Sequence, residues 1–166
     1  MIMNGRLEMG LIHGTGPIRG VKFTPLLREE FVLVVHRSFG VEPGDAPITV
    51  ADLAFLPFLL PPTYNFVRRA INLAFTRSRK DLIVMAELES VRTIARGVDA
   101  GLGATITPKA IADRIVAESN EEIVVRQIAS PMIEETLSFC VSDNTPLSEP
   151  ALAVKEILLQ LAETLK

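Results

Sequence analysis

The side chains that could carry nucleophilic or metal-based chemistry are few in this chain. Its histidines are His13 and His36, its one cysteine is Cys140, and no G-x-S-x-G sequence is present. A hydrolytic triad needs a base beside a nucleophile, and a zinc site needs about three or four imidazole or thiolate ligands. These residues are too few and too widely separated for either site. We therefore expect no catalytic residue, no metal site and no cofactor.

The paired carboxylates and the glycine-rich run also give no sign of a catalytic or nucleotide-binding site. Paired carboxylates are more typical of solvated strand ends and turns than of an acid and base couple, which needs burial to shift a pKa. The pairs are Glu29-Glu30, Glu121-Glu122 and Glu134-Glu135. The Gly101-Leu102-Gly103 run follows a predicted helix and enters a strand, whereas a dinucleotide-binding loop leaves a strand and opens a helix.

The elements that would position these residues alternate between strands and helices. The predicted strands are Glu8 to His13, Lys22 to Leu27, Phe31 to His36, Phe58 to Leu60, Leu82 to Glu87, Gly103 to Thr107, Ile123 to Ile128 and Thr136 to Val141. The predicted helices are a turn at Thr49 to Leu53, Asn65 to Arg77, Ser90 to Gly101, Lys109 to Arg114, and one from Ser148 with a buried stripe of Val154, Ile157, Leu158, Leu161 and Leu165. This alternation predicts an α/β fold with a largely parallel sheet.

Composition limits the class of protein. The 166 residues are 48 % hydrophobic and 22 % charged, which predicts a folded core, and the net charge of −3 does not favour a surface that binds duplex DNA. No run reaches the roughly 20 apolar residues of a membrane span, and no secretion signal is visible. A lone, buried Cys140 then favours the reducing cytoplasm.

Two stretches carry a family resemblance: GRLEMGLIHG at Gly5 to Gly14 and ELESVRTIARGVDAGLGATITP at Glu87 to Pro108. With PLLREEFVLVV and the passage from Asp52 to Pro62, their order and spacing resemble the effector-binding domain of LysR-type transcriptional regulators. Within that family the nitrogen-assimilation-control branch is the most similar, on the stretches MNGRLEMGLIHG at Met3 to Gly14, AELESVRTIARG at Ala86 to Gly97 and AVKEILL at Ala153 to Leu159. The resemblance implies a type II periplasmic-binding-protein-like fold with two α/β lobes and a ligand cleft between them.

The resemblance also implies that the first lobe is incomplete here and that the family's DNA-binding helix-turn-helix is absent. Residues 1–34 and 138–166 would form the partial first lobe, and residues 35–137 the second lobe. A mean hydropathy of +0.32 fits a truncated domain that exposes surface its missing half would cover. The implied partners are a small-molecule effector, anionic in character, and DNA only through the missing domain. The full-length protein would be a homodimer or tetramer.

Six residues are candidates for effector contact. His13 ends a strand before a glycine-rich loop, where ligands of α/β sheets collect, and Thr15 is its neighbour. Ser90 begins a helix, where free N–H groups attract anions; it is also an ordinary N-cap, and the two roles can coexist because a ligand can complete the cap. Tyr64, Asn65 and Thr107 complete the set; packing, capping and strand-end roles are the alternatives. Arg68 and Arg69 are assigned to a solvated helix face rather than to an anion site.

Three other functions stay open at this point. One is a regulator of the same family that needs no ligand, which a collapsed, apolar cleft would favour. The second is a free-standing solute-binding protein, which would need an export signal. The third is a small α/β enzyme, which would need a cleft with a strongly perturbed acid or base.

Overall fold

The computed structural model describes residues 2, 7–14, 18–119 and 122–165. The described strands are β1 (Met9–His13), β2 (Val21–His36), β3 (Ile48–Thr49), β4 (Phe58–Leu60), β5 (Val84–Glu87), β6 (Thr105–Pro108), β7 (Ile123–Ala129) and β8 (Glu134–Ser142). The described α-helices are α1 (Val50–Leu53), α2 (Phe66–Arg77), α3 (Val91–Asp99), α4 (Lys109–Glu118) and α5 (Glu149–Thr164). This α/β content agrees with the predicted fold class.

The chain divides into two compact units. The first unit combines Met1–Glu29 with Glu135–Lys166, and the second unit is Glu30–Glu134. The chain therefore passes from one unit to the other within β2 and again at the start of β8. The sequence predicts these passages at residues 34/35 and 137/138. That each unit is a lobe in the family's sense stays a proposal.

In the first unit, β8 lies between β1 and β2. β1 pairs with β8 in antiparallel register from Met9 with Val141 to His13 with Leu137. α5 begins at its cap Ser148, whose side chain accepts a hydrogen bond from the Ala151 N–H. The small core of this unit joins the sheet to α5. Its buried members are Leu26, Phe139 and Ala162, with Met9, Val141, Leu158 and Leu159 partly buried around them.

The Cys140 thiol is buried in this unit, as the sequence predicts, with 1 % of the residue exposed. Its Sγ donates a hydrogen bond to the Gly10 carbonyl oxygen at 3.3 Å, and burial raises the pKa of the thiol above its usual value. Because the thiolate is the reactive form, native Cys140 should react with a disulfide reagent about 100-fold more slowly than the unfolded chain. A colorimetric thiol assay at one pH, with and without denaturant, measures both rates, and equal rates would contradict this burial.

The second unit is built on β2, which is one continuous strand rather than the two that the sequence predicts. β2 pairs with β6 and with β7, both antiparallel, whereas β3 with β7 and β4 with β5 are parallel pairs. The expectation of a largely parallel sheet is therefore wrong. Parallel pairing needs a crossover, and α2 supplies one between β4 and β5.

Both faces of β2 are buried in the second unit, as its apolar run predicts. Alternate residues Phe31, Leu33 and Val35 enter one core cluster, and Val32 and Val34 enter a second cluster on the opposite face. The first cluster contains most of the aromatic side chains, including a Phe58–Phe75 edge-to-face pair with centroids 5.8 Å apart. The second cluster lies under α3 and α4 through Ile94, Val98, Ala112 and Ile115.

Local signals set the helix ends of this unit. Asn65 caps α2 and Ser90 caps α3 through their side chains, as predicted. α3 stops at Gly101, whose φ of +67° strongly favours glycine. Gly103 is required for close packing instead, because a Cβ there would lie 2.9 Å from the Pro57 carbonyl oxygen. The Gly-Leu-Gly run is thus a structural turn from helix into strand.

Two helices differ from their predictions. α4 continues to Glu118 rather than ending near Arg114. In α5 the predicted stripe is not buried: four of its five members are exposed, and Leu158 alone packs on the core. The exposed members are Val154, Ile157, Leu161 and Leu165. The buried residues of α5 are the small Ala151 and Ala162, and Ala162 packs in the core of the first unit. Among the described helices, none combines the length and apolar character needed to cross a membrane.

Candidate functional site

A cavity in the second unit brings together two of the predicted site residues, Asn65 and Thr107. Its volume is about 180 Å³, and we call it the β6 cavity. It is lined by Pro61, Asn65, Phe66, Val67, Glu89, Val91, Ile94, Thr105, Ile106, Thr107, Pro108, Ile111 and Ile115. Most of these side chains are apolar, so the few polar groups determine which ligand chemistry fits.

Three helix N-termini reach the β6 cavity. Asn65 caps α2, Val91 is the first residue of α3, and Pro108 directly precedes α4. The Asn65 Oδ1 accepts a hydrogen bond from the Val67 N–H at 2.9 Å, whereas Pro108 gives α4 no side-chain cap. Helix N-termini carry partial positive charge and unpaired N–H groups. Their convergence makes this cavity more favourable for an anion than for a cation.

Thr107 supplies the cavity with a hydroxyl group. The residue is 9 % exposed, and its backbone pairs with Val32 of β2. Within the described residues, its hydroxyl forms no hydrogen bond, so the group is available to a ligand. Thr105, two residues earlier on the same strand, also lines the cavity and is 1 % exposed. Thr105 is not among the residues that the sequence predicts for the site, although the period of two along a strand links it to Thr107.

Tyr64 lies at the exposed edge of this region, 68 % exposed, and is not the packing residue of the alternative interpretation. Its hydroxyl donates a hydrogen bond to Glu89, which lines the β6 cavity. This bond is the main cause of a raised pKa at the Tyr64 phenol. Glu89 itself is exposed. Its carboxylate is the one group in the lining that opposes an anion.

The other predicted residues lie elsewhere. Ser90 caps α3, with the Thr93 N–H 3.4 Å from its Oγ, and lines a neighbouring groove rather than the β6 cavity. His13 belongs to the first unit, where its Nε2 is 2.7 Å from Oε2 of Glu29. Its imidazole therefore already has a carboxylate partner. Thr15 lies outside the described residues. Within the described part of the chain, no cluster of three or more side chains could hold a metal ion.

Arg68 is not on a solvated face, so that prediction is wrong. The residue is 7 % exposed, and its guanidinium donates to the Pro61 carbonyl at 3.1 Å and to Oε1 of Glu87 at 2.8 Å. These two bonds hold the loop at Pro61 and the end of β5 against α2, and the Nε of Arg68 donates to Asn72 at 3.0 Å, one turn further along the same helix. Arg69 does remain exposed. Arg68 is therefore a structural residue behind the cavity wall.

Known proteins share this fold. The family model described as LysR substrate binding domain matches residues 1–163. The nitrogen assimilation regulatory protein nac of Klebsiella aerogenes is 32 % identical over 160 residues, which is 96 % of this chain and 50 % of that protein. The CcmR regulatory domain of Synechocystis, solved with 2-PG, has a TM-score of 0.80 at 18 % identity, covering 97 % of this chain and 76 % of that one.

A full-length structure is similar as well. CbnR complexed with its target DNA gives a TM-score of 0.74 at 20 % identity, covering 97 % of this chain and 54 % of that chain. This chain spans about half the length of the curated relatives it matches. The family model covers nearly every residue, and the structural neighbours share its fold. The chain belongs to the LysR substrate-binding domain family.

Proposed function

We propose that this chain is the effector-sensing domain of a LysR-type transcription regulator, and that a small anion binds in the β6 cavity. The observation that carries the proposal is the unpaired Thr107 hydroxyl beside three helix N-termini. A carboxylate or similar oxyanion would accept hydrogen bonds from that hydroxyl and from the uncapped N-terminus of α4. The regulatory relatives and the 2-PG complex of CcmR support a sensing role.

The cavity limits the effector to a small molecule. Sites for drug-sized ligands have volumes of about 300–1,000 Å³, and the β6 cavity is smaller than that range. Its apolar side chains favour a short aliphatic body attached to the anionic group. Glu89 at the edge disfavours a second negative charge on its side of the cavity. We therefore propose a short monocarboxylate or a small inorganic anion.

Thermal shift and calorimetry with a panel of short carboxylates, amino acids and inorganic anions test this proposal. At a concentration near 100 times Kd, an effector should stabilise the fold by about 2.7 kcal/mol and raise Tm by about 5–10 °C. Thr107→Val keeps the side-chain shape and removes the hydroxyl, so it should weaken binding about tenfold.

Two comparisons make the effector test specific. Thr76→Val on the exposed surface of α2 should leave the affinity unchanged. The carboxamide of each active carboxylate should bind at least about tenfold more weakly, because it lacks the charge that helix N-termini favour. Equal binding of acid and amide, or equal effects of both threonine substitutions, would overturn the anion assignment.

A ligand-independent regulator of the same family is the second candidate. The small volume and apolar lining of the β6 cavity favour it, because a cavity that nothing enters needs no polar groups. The same panel separates the two functions. A ligand-independent domain would show no shift with any compound, and Thr107→Val would then affect stability alone.

In a protein of the relatives' length, DNA would be contacted by the half that this chain does not match. We propose a homodimer or tetramer in the cytoplasm, where the promoter DNA lies, with no catalytic activity. An effector would change promoter occupancy only by the difference in its affinity for two states of the regulator. We keep His13 as a candidate contact, in competition with its Glu29 partner.

A further inference from the structure

A second recess lies between α3 and α4 of the same unit. Its volume is about 560 Å³, and we call it the α3–α4 groove. Ala95, Ile111 and Ile115 give it an apolar floor, and Arg92 and Arg114 stand on its two sides. This volume falls within the range of about 300–1,000 Å³ that small-molecule sites occupy. The groove thus has room that the β6 cavity lacks.

The arginines of this region have no partner among the described residues. Arg92, Arg96 and Arg114 form neither an ion pair nor a hydrogen bond there, whereas Lys109 on α4 is paired with Asp113 at 3.1 Å. Arg96 lines a recess of about 300 Å³ that continues the groove along α3. Unpaired guanidinium groups on opposite walls can bind one oxyanion in the bidentate geometry that arginine favours.

We propose that the α3–α4 groove is a second ligand site, for a doubly charged oxyanion attached to an apolar body. The charged group would bind between Arg92 and Arg114, and the body would cover Ala95, Ile111 and Ile115. Glu118 also lines the groove and opposes the anion, so its carboxylate weakens the site without neutralising both arginines. The proposal does not rest on the effector proposed for the β6 cavity, although the two sites share part of their apolar lining.

Phenyl phosphate has this chemistry and is the probe. In a titration followed by amide NMR, the signals of Arg92, Ala95 and Arg114 should shift and saturate, with Kd at or below about 1 mM. The signals of Asn65 and Thr107 report on the β6 cavity and should stay in place. Val91, Ile111 and Ile115 line both sites and are not used as reporters. Phenol and inorganic phosphate each lack one half of the probe and should bind at least about tenfold more weakly.

Charge variants complete the test. Arg92→Gln and Arg114→Gln should each weaken phenyl phosphate about tenfold, and Glu118→Gln should tighten it severalfold. Arg77→Gln, an exposed arginine on α2, is the matched control and should have no effect. All four side chains are exposed, and the NMR spectrum shows directly that each variant is folded. Shifts at Asn65 and Thr107 instead, no saturation up to about 10 mM, or equal weakening by Arg77→Gln would overturn the proposal.

Discussion

Replacing Phe58 by alanine is expected to lower the free energy of unfolding by about 3–5 kcal/mol. Phe58 is fully buried in β4, and its ring meets Phe75 edge to face at 84°. The substitution removes apolar contact area and leaves a cavity that the surrounding strands cannot close. Small domains have a free energy of unfolding of only about 5–15 kcal/mol. This single change would therefore remove a large part of the stability of the fold.

Phe55→Ala is the matched control for Phe58→Ala. The two phenylalanines lie three positions apart, but Phe55 is 63 % exposed and its loss should change stability by no more than about 0.5 kcal/mol. Urea denaturation of both variants measures the difference, provided that the dependence on denaturant is unchanged. Similar values for the two variants would mean that the core of the second unit is not centred on β4.

Elements governed by local rules are the ones that the sequence predicts well. The caps Asn65 and Ser90 follow from side chains that bond to nearby N–H groups, and Gly101 follows from the need for a positive φ. The burial of residues 31–35 of β2 on both faces follows from their unbroken apolar run. Each of these features depends on a few neighbouring residues, and no tertiary partner is needed to specify it.

Features that depend on tertiary partners are not predicted. Periodicity identifies an apolar stripe on α5, but it does not state which side of the helix approaches the sheet, and the alanines do so instead. Whether two strands pair in parallel or antiparallel is not predicted for the same reason, because it depends on how strands that are distant in the sequence meet. Arg68 lies off the apolar stripe of α2, yet its position is set by a distant carbonyl and carboxylate.

The candidate site is predicted in part, because some of its features follow from local rules and others from tertiary packing. Asn65 and Thr107 are found from their positions at a helix start and a strand end, and both line the β6 cavity. That Glu89 joins them, and that Ser90 faces the neighbouring groove, depends on the rotation of α3, which capping rules do not specify. Sequence reasoning thus identifies which residue types can bind a ligand, and packing decides which of them share a cavity.

Arg68→Met is expected to destabilise the second unit by about 2–3 kcal/mol. The substitution keeps most of the side-chain length, and it removes the donor for the buried Pro61 carbonyl and the ion pair with Glu87. Loss of a fully buried ion-pair partner has a larger effect, of about 3–5 kcal/mol. The Glu87 side chain is 48 % exposed and regains water contact, so the smaller value applies here.

Arg69→Met is the control for Arg68→Met, because Arg69 is exposed and, among the described residues, its side chain donates only to the Tyr64 carbonyl, at 2.7 Å. Its loss should change the free energy of unfolding by no more than about 1 kcal/mol.

Glu87→Gln separates the effect of charge from that of hydrogen bonding. The variant keeps an acceptor for Arg68 and should also lower the free energy of unfolding by less than about 1 kcal/mol. If Glu87→Gln were as harmful as Arg68→Met, the ion pair and not the Pro61 carbonyl would hold this wall of the β6 cavity. If Arg68→Met and Arg69→Met lowered the free energy of unfolding by the same amount, the burial of Arg68 would not explain its contribution to stability.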